Sequence, residues 1–130
     1  MKILLIEDDR VFHELFTACL PPDLDVSLEI VENLADGLDI ADDFDICIID
    51  LVLPDSPNIN NTIKVIDKKI TRPRVIFSSV NDPHLAYQLG KMRIGFIPKG
   101  VSADELLMIL SNMIGFCEST KYLYELLQYI

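Results

Sequence analysis

Two four-residue apolar runs, Ile-Leu-Leu-Ile at 3–6 and Ile-Cys-Ile-Ile at 46–49, constrain this chain more than any other feature. They are too short for buried helices and lack the polar alternate positions of a strand with one wet face. They therefore read as strands covered on both sides. Val-Ile-Phe at 75–77 has the same character, and 94–97 is similar but interrupted by Gly95. These four strands are expected to be central or well covered. Val26, Leu28 and Ile30 alternate instead with Ser27 and Glu29, the pattern of a strand with a wetter face at a sheet edge.

Between the runs, apolar residues recur at helical spacing, so the expected unit is strand–helix, repeated five times as a parallel sheet covered by helices. In the first helix Phe12, Leu15, Phe16 and Cys19 share a face and Pro21-Pro22 stops it. The second covers about 33–41 and the third about 60–70. The fourth starts with Asp82 as cap and Pro83 at the first position, and Gly90 ends it. The fifth opens with the capping box Ser102-Ala-Asp-Glu105 and is expected to bury Leu106, Leu107, Ile109, Leu110, Met113 and Ile114. A further stripe, Leu123, Leu126, Leu127 and Ile130, follows a break around 115–120. It either extends the fifth helix or forms a sixth, and it packs on its own domain or serves as a dimer or linker segment. The expected division is a domain over 1–117 and a C-terminal helical extension or linker over 118–130.

With 130 residues, one domain and one site are expected. No apolar run approaches the roughly 18 residues of a membrane span, and the N-terminal run is too short for a secretory signal, so a cytoplasmic location is expected. Cys19, Cys47 and Cys117 are far apart, sit among apolar residues and lack a CxxC pair or a histidine cluster, and they read as reduced core residues. A formal charge of −10 repels nucleic-acid phosphate, which argues against direct nucleic-acid binding.

In an open parallel sheet, ligands bind beyond the carboxyl ends of the strands, where strand order reverses. Here the first strand runs into Glu7-Asp8-Asp9, the third into Asp50, the fourth into Ser78-Ser79 and the fifth into Lys99. Together these ends bring acids, a hydroxyl and an ammonium to one rim. Clustered carboxylates favour a hard divalent cation such as Mg2+ with all-oxygen ligands. A metal, a lysine and a hydroxyl suit a phosphoryl group, and a carboxylate so placed is a nucleophile that gives an aspartyl phosphate. Taken singly, each residue has a plainer role: Asp8 or Asp9 as a helix cap, Ser78 as a turn hydroxyl, Lys99 as a solvated charge.

The segments Ile-Leu-Leu-Ile-Glu-Asp-Asp, Asp50-Leu-Val-Leu-Pro54, Pro73-Arg-Val-Ile-Phe-Ser78 and Gly95-Phe-Ile-Pro-Lys99 resemble, in this order and over about 1–115, the response-regulator receiver domains of two-component signal transduction systems. The resemblance implies an α/β, flavodoxin-like, doubly wound five-stranded parallel sheet of order 2-1-3-4-5 with five helices, plus the extra C-terminal helical segment. It implies Asp50 as phosphoacceptor in a Mg2+-dependent phosphorelay, with Asp8 as a direct metal ligand, Glu7 assisting through water, and the Val52 backbone carbonyl completing the protein's share. Ser78 and Lys99 take the positions that bind phosphoryl oxygens, and Phe96 that of an aromatic switch. The implied partners are a histidine kinase or histidine phosphotransfer protein, and a second copy or an output protein on the face of helix 4, strand 5 and helix 5. Such a domain is a signalling element rather than an enzyme, catalysing only its own phosphorylation and dephosphorylation.

Several positions depart from the family pattern. Asn58 stands where a loop glycine is usual, and asparagine tolerates the left-handed conformation such a turn needs. Met92-Arg93 replaces a frequent Gly-Ala pair, Gly100 a frequent proline, and Ser79 a small alanine beside the site, where with Val52 it affects the rate of phosphoryl loss. His13 and His84 fall in helices away from the rim, with surface roles. Two competing readings stand beside the phosphoacceptor. An aspartyl-phosphate phosphohydrolase ranks low, because the nucleophile follows the third strand and no second aspartate stands two residues later. A phosphate-independent, receiver-like interaction module ranks behind the switch because Glu7, Asp8, Asp50, Ser78 and Lys99 are all in place.

Overall fold

The computed structural model describes residues 1–80 and 82–127, with side chains to residue 120. The chain alternates β1 (Lys2–Ile6), α1 (Arg10–Ala18), β2 (Ser27–Val31), α2 (Leu34–Ile40), a single 3-10 turn, β3 (Ile46–Asp50), α3 (Ile59–Lys69), β4 (Arg74–Ser78), α4 (Pro83–Lys91), β5 (Gly95–Pro98) and α5 (Ala103–Leu127). All strand pairs are parallel, in the order β2-β1-β3-β4-β5, the flavodoxin-like topology.

The two apolar runs become the central strands because the sheet is covered on both faces. Ile3, Leu5, Ile46, Ile48 and Phe77 face the layer formed by α1 and α5, where they meet Phe16, Leu106, Leu110 and Ile114. Leu4, Ile6, Cys47, Ile49 and Ile76 face the layer of α2, α3 and α4. Each buried Leu, Ile or Phe contributes about 1.5–3 kcal/mol of burial free energy, so residues 3–6 and 46–49, buried throughout, anchor both layers. β2 is an edge strand with exposed Ser27 and Glu29, as its alternation predicts. β5 is the other edge: Gly95 and Pro98 are exposed and Phe96 is half-buried, so this strand is neither central nor well covered. Its apolar run reflects one buried residue, Ile97, together with Ile94 just before the strand.

Side chains cap the helices as their sequences predict. The carboxylate of Asp82 accepts from the His84 amide with Pro83 beginning α4, and the Ser102 hydroxyl accepts from the Glu105 amide at α5. Asn58 has φ −90° and caps α3 by accepting from the Asn61 amide, so it replaces the family glycine as an extended cap and not as a left-handed turn. On α5, Leu106, Leu110 and Ile114 recur every fourth residue and are fully buried, whereas Leu107 is 37% exposed, one residue off the stripe. No break interrupts α5 at 115–120; the helix runs on to Leu127. The side chains of Leu123, Leu126 and Leu127, and Ile130 as a whole, lie outside the described residues.

Gly90 does not end α4. The helix continues to Lys91, and Arg93, at φ 59°, is the left-handed residue that follows it. Ile94 N–H donates to Leu89 O and Arg93 N–H to Gly90 O, the paired reverse bonds of a Schellman termination. An L side chain in this conformation costs about 1–2 kcal/mol, which glycine avoids. Arg93→Gly is therefore expected to raise stability by about 1 kcal/mol, read as a higher urea midpoint at unchanged slope; a lower midpoint would contradict the assignment.

Candidate functional site at the carboxyl ends of β1 and β3

The chain leaves β1 toward one edge and returns to β3 on the other side, so the order reverses between these two strands. Their carboxyl ends carry the acids. Asp50 is the last residue of β3, and Glu7 follows β1 with its amide donating to Val31 O. Asp9 is the residue that caps α1, accepting from the Val11 amide, which leaves the exposed Asp8 free for other chemistry. Glu7, Asp8 and Asp50 each offer a carboxylate oxygen within 4.8 Å of the other two.

Lys99 completes the cluster. Its amide donates to Ser78 O, and its Nζ lies 3.1 Å from Glu7 Oε2 and 3.2 Å from Asp50 Oδ2. The ammonium is held over the rings of Phe12, at 4.5 Å, and Phe77, at 5.4 Å. Phe77 in turn packs edge-on against Phe12 and Phe16. This aromatic shelf orders a long side chain over an otherwise apolar layer.

Glu7 is fully buried, and Oε2 has no hydrogen-bond donor aligned with it. With all three carboxylates ionised, one ammonium would leave two negative charges uncompensated, and Glu7 and Asp50 are buried, where an unpaired charge is costly. Burial, reinforced by the neighbouring Asp50 carboxylate and only partly offset by Lys99, raises Glu7 from its ordinary value of 4.5 to about 7. A hard divalent cation fits this donor set: it supplies the missing charge and takes oxygen ligands.

Ser78 and Phe96 stand next to the cluster rather than in it. The Ser78 hydroxyl is buried and accepts from the Val80 amide. Phe96 packs against the α2–α4 core and, with Ser78, Ser79, Val80, Pro98, Lys99 and Gly100, lines a cleft of about 420 Å³ that opens beside the acids. Val52 has an exposed side chain, and its amide donates to Asp50 Oδ1, so the backbone folds back over the carboxylate.

Three contributions escaped the sequence reading. His13 is not a free surface residue, since its Nε2 donates to the backbone carbonyl of Glu7. Phe12 and Phe77 hold Lys99. Asp55, which follows Pro54 in the β3–α3 loop, accepts from the amides of Leu34 and Ala35 at 2.8 and 2.9 Å. Only the Pro-Asp turn signature could have drawn attention to Asp55. His84, on α4, is exposed as expected. Cys19 and Cys47 are buried free thiols and Cys117 is a half-buried one. Among the described residues no helix is long and apolar enough to cross a membrane.

Neither a family model nor a curated protein matches this sequence. Solved structures do. The phosphorylated cyanobacterial phytochrome response regulator RcpA superposes with a TM-score of 0.71 at 19% identity, over 92% of this chain and 94% of that one. A signal receiver domain from Vibrio parahaemolyticus gives 0.78 at 21% identity, over 94% and 95%. The Mn(2+)-bound form of response regulator Rcp1 gives 0.70 at 16% identity, over 88% and 92%.

The raised Glu7 has a testable sign. In chelator, the native state holds a proton on Glu7 that the unfolded chain has already lost, so this group's stabilisation falls as pH rises from about 4.5 through about 7. Thermal melts of wild type against Glu7→Gln are expected to show that decline in wild type alone, with magnesium raising the wild-type midpoint more at pH 8 than at pH 5.5. A difference between the two proteins that does not vary with pH would refute the assignment. With the strand order, the nearly complete coverage of both chains and the acids at the switch point in view, the chain has the fold of response-regulator receiver domains.

Proposed function

We propose that this protein is a phosphoacceptor switch: Asp50 accepts a phosphoryl group from a phosphohistidine of a partner kinase or phosphotransfer protein. The observation that carries the reading is the Lys99 ammonium shared between Glu7 and Asp50, with the Asp8 carboxylate beside them. A plain structural ion pair would balance its charges; this one leaves room for a divalent cation and then for an anion.

Asp8, Asp50 and the Val52 carbonyl are the ligands we assign to Mg2+, with Glu7 assisting through water. When bound, the ion neutralises charge on the phosphoryl oxygens and orients them for in-line attack. The remaining steps belong to the chain. An Asp50 carboxylate oxygen forms a bond to phosphorus as the bond from phosphorus to the donor's imidazole nitrogen breaks. Lys99 turns from the Asp50 carboxylate to a phosphoryl oxygen over the short distance its aromatic shelf permits. The Ser78 hydroxyl exchanges the Val80 amide for another phosphoryl oxygen, and Phe96 moves into the space beside it. The result is a changed surface on α4, β5 and α5, to which a second copy or an output protein binds. The Mn(2+)-bound Rcp1 and the phosphorylated RcpA, which share the fold, support a cation and a phosphoryl group in this type of site. We assign 1–117 to the switch itself and 118–130, of which 118–127 continue α5, to an extension toward a partner or linker. The role is that of a signalling domain that acts on itself rather than on a released substrate.

Incubation with magnesium and acetyl phosphate, followed by intact mass measurement, is expected to add one phosphoryl group to wild type and none to Asp50→Asn. Lys99→Ala is expected to slow the reaction by about 100-fold, the range lost with a single charge-stabilising donor. An adduct on Asp50→Asn, or one on wild type that forms equally in chelator, would overturn the reading.

A further inference from the structure

β1 and β3 pair directly, Ile6 opposite Ile49, which sets Glu7 beside Asp50, whereas the loops that follow the two strands share no hydrogen bond among the described residues. Each is tied to α2. On the β1 side, Gly37 of α2 lies against Ile6, the residue before Glu7, so closely that a Cβ at position 37 would come within 2.2 Å of Ile6 Cδ1. Leu34 is buried in the same layer. The amino end of α2 is therefore fixed to the end of β1.

On the β3 side, Asp55 spans the amino end of the same helix: Oδ1 accepts from Leu34 N–H and Oδ2 from Ala35 N–H. These bonds hold the Asp55 carboxylate ionised, below the usual carboxylate range. Within the loop, the Leu53 and Ser56 backbones pair with each other, Thr62 donates to Ser56 O and Asn58 O, and Val52 N–H donates to Asp50 Oδ1. The loop from Asp50 to Asn58 is thus internally braced, with Leu51 and Leu53 buried in the same core layer as Leu34, and Asp55 makes its hydrogen bonds to the helix. α2 has its own separate cap, Asn33, whose Oδ1 accepts from Asp36 N–H, so Asp55 is not needed to begin the helix.

We propose that Asp55 is a positioning residue: by clamping the β3–α3 loop to the amino end of α2, it sets where the Val52 carbonyl stands relative to the Glu7-Asp8 loop, and so the affinity of the site for a divalent cation. The inference rests on the proposed function for the identity of the cation ligands. It follows from a path that runs from Glu7 through Ile6 and Gly37 to Asp55 and on to Val52, in which the step from α2 to the loop is made by the two hydrogen bonds to the exposed Asp55. Because Asp55 is exposed, shortening it leaves no core cavity.

The test is magnesium titration of the full chain by calorimetry, alongside the magnesium dependence of phosphorylation by acetyl phosphate. Asp55→Ala is expected to weaken magnesium binding by about 10-fold, the range seen when a group that orients metal ligands is lost, and to raise the half-saturating magnesium for phosphorylation equally. Asp55→Asn, which keeps one acceptor oxygen, is expected to fall between. Asn33→Ala removes the other cap of the same helix and is expected to lower thermal stability without changing magnesium affinity. Wild-type affinity in Asp55→Ala, or the same loss in Asn33→Ala, would show that Asp55 merely caps a helix. Wild type that binds magnesium but takes no phosphoryl group would remove the proposed function while leaving the clamp standing; wild type that binds no magnesium would remove both.

Discussion

The site depends on one shared charge, the Lys99 ammonium held between the carboxylates of Glu7 and Asp50. Removing an ion from water costs several kcal/mol even after relaxation, and a pair regains this only with good geometry. Here the geometry is supplied by parts distant in sequence. β1 and β3, buried on both faces, set the two carboxylates side by side, β4 offers its last carbonyl to the Lys99 amide, and Phe12 and Phe77 form the shelf beneath the ammonium. Yet burial, and after it the neighbouring Asp50 carboxylate, raises Glu7 despite Lys99. That cluster is what supports the proposed cation and phosphoryl group.

The cluster also adjoins an edge of the sheet. Lys99 stands immediately after β5, an edge strand whose Phe96 lines the cleft shared with Ser78. In the proposed switch, a change at Lys99 or Ser78 would reach Phe96 without crossing the core. The core itself, with Ile3 to Ile6 and Ile46 to Ile49 locked between two helical layers, is a poor place for movement. Motion is expected where packing is thin, at β5 and the β5–α5 connection.

Much of this was legible in the sequence because burial on two faces leaves a one-dimensional trace. The runs at 3–6 and 46–49 identify central strands, and their ends point to Glu7, Asp8 and Asp50 before any coordinate is known. The end of the fifth strand brings Lys99 to the same rim, and the resemblance to receiver domains supplied the strand order. What stayed hidden depends on contacts between residues far apart. β5 reads like a covered strand because Ile94 and Ile97 are buried, and only the strand order shows that its other side is open. The left-handed conformation of Arg93 carries no residue signal, since glycine, the usual marker, stands three positions earlier. The break expected around 115–120 does not form, and Gly115 is tolerated inside α5 on its exposed side. Asp55 bonds to residues about twenty positions away, so its partners become visible only in three dimensions.

The most direct test of the account is a crystal structure grown with magnesium and beryllium fluoride, a phosphoryl mimic. The account predicts the trifluoride on an Asp50 oxygen, the cation ligated by Asp8, Asp50 and the Val52 carbonyl, and Lys99 moved off Asp50 onto a fluorine. A structure in which the trifluoride is absent and Lys99 still bridges Glu7 and Asp50, under conditions where a known receiver domain binds both, would contradict it.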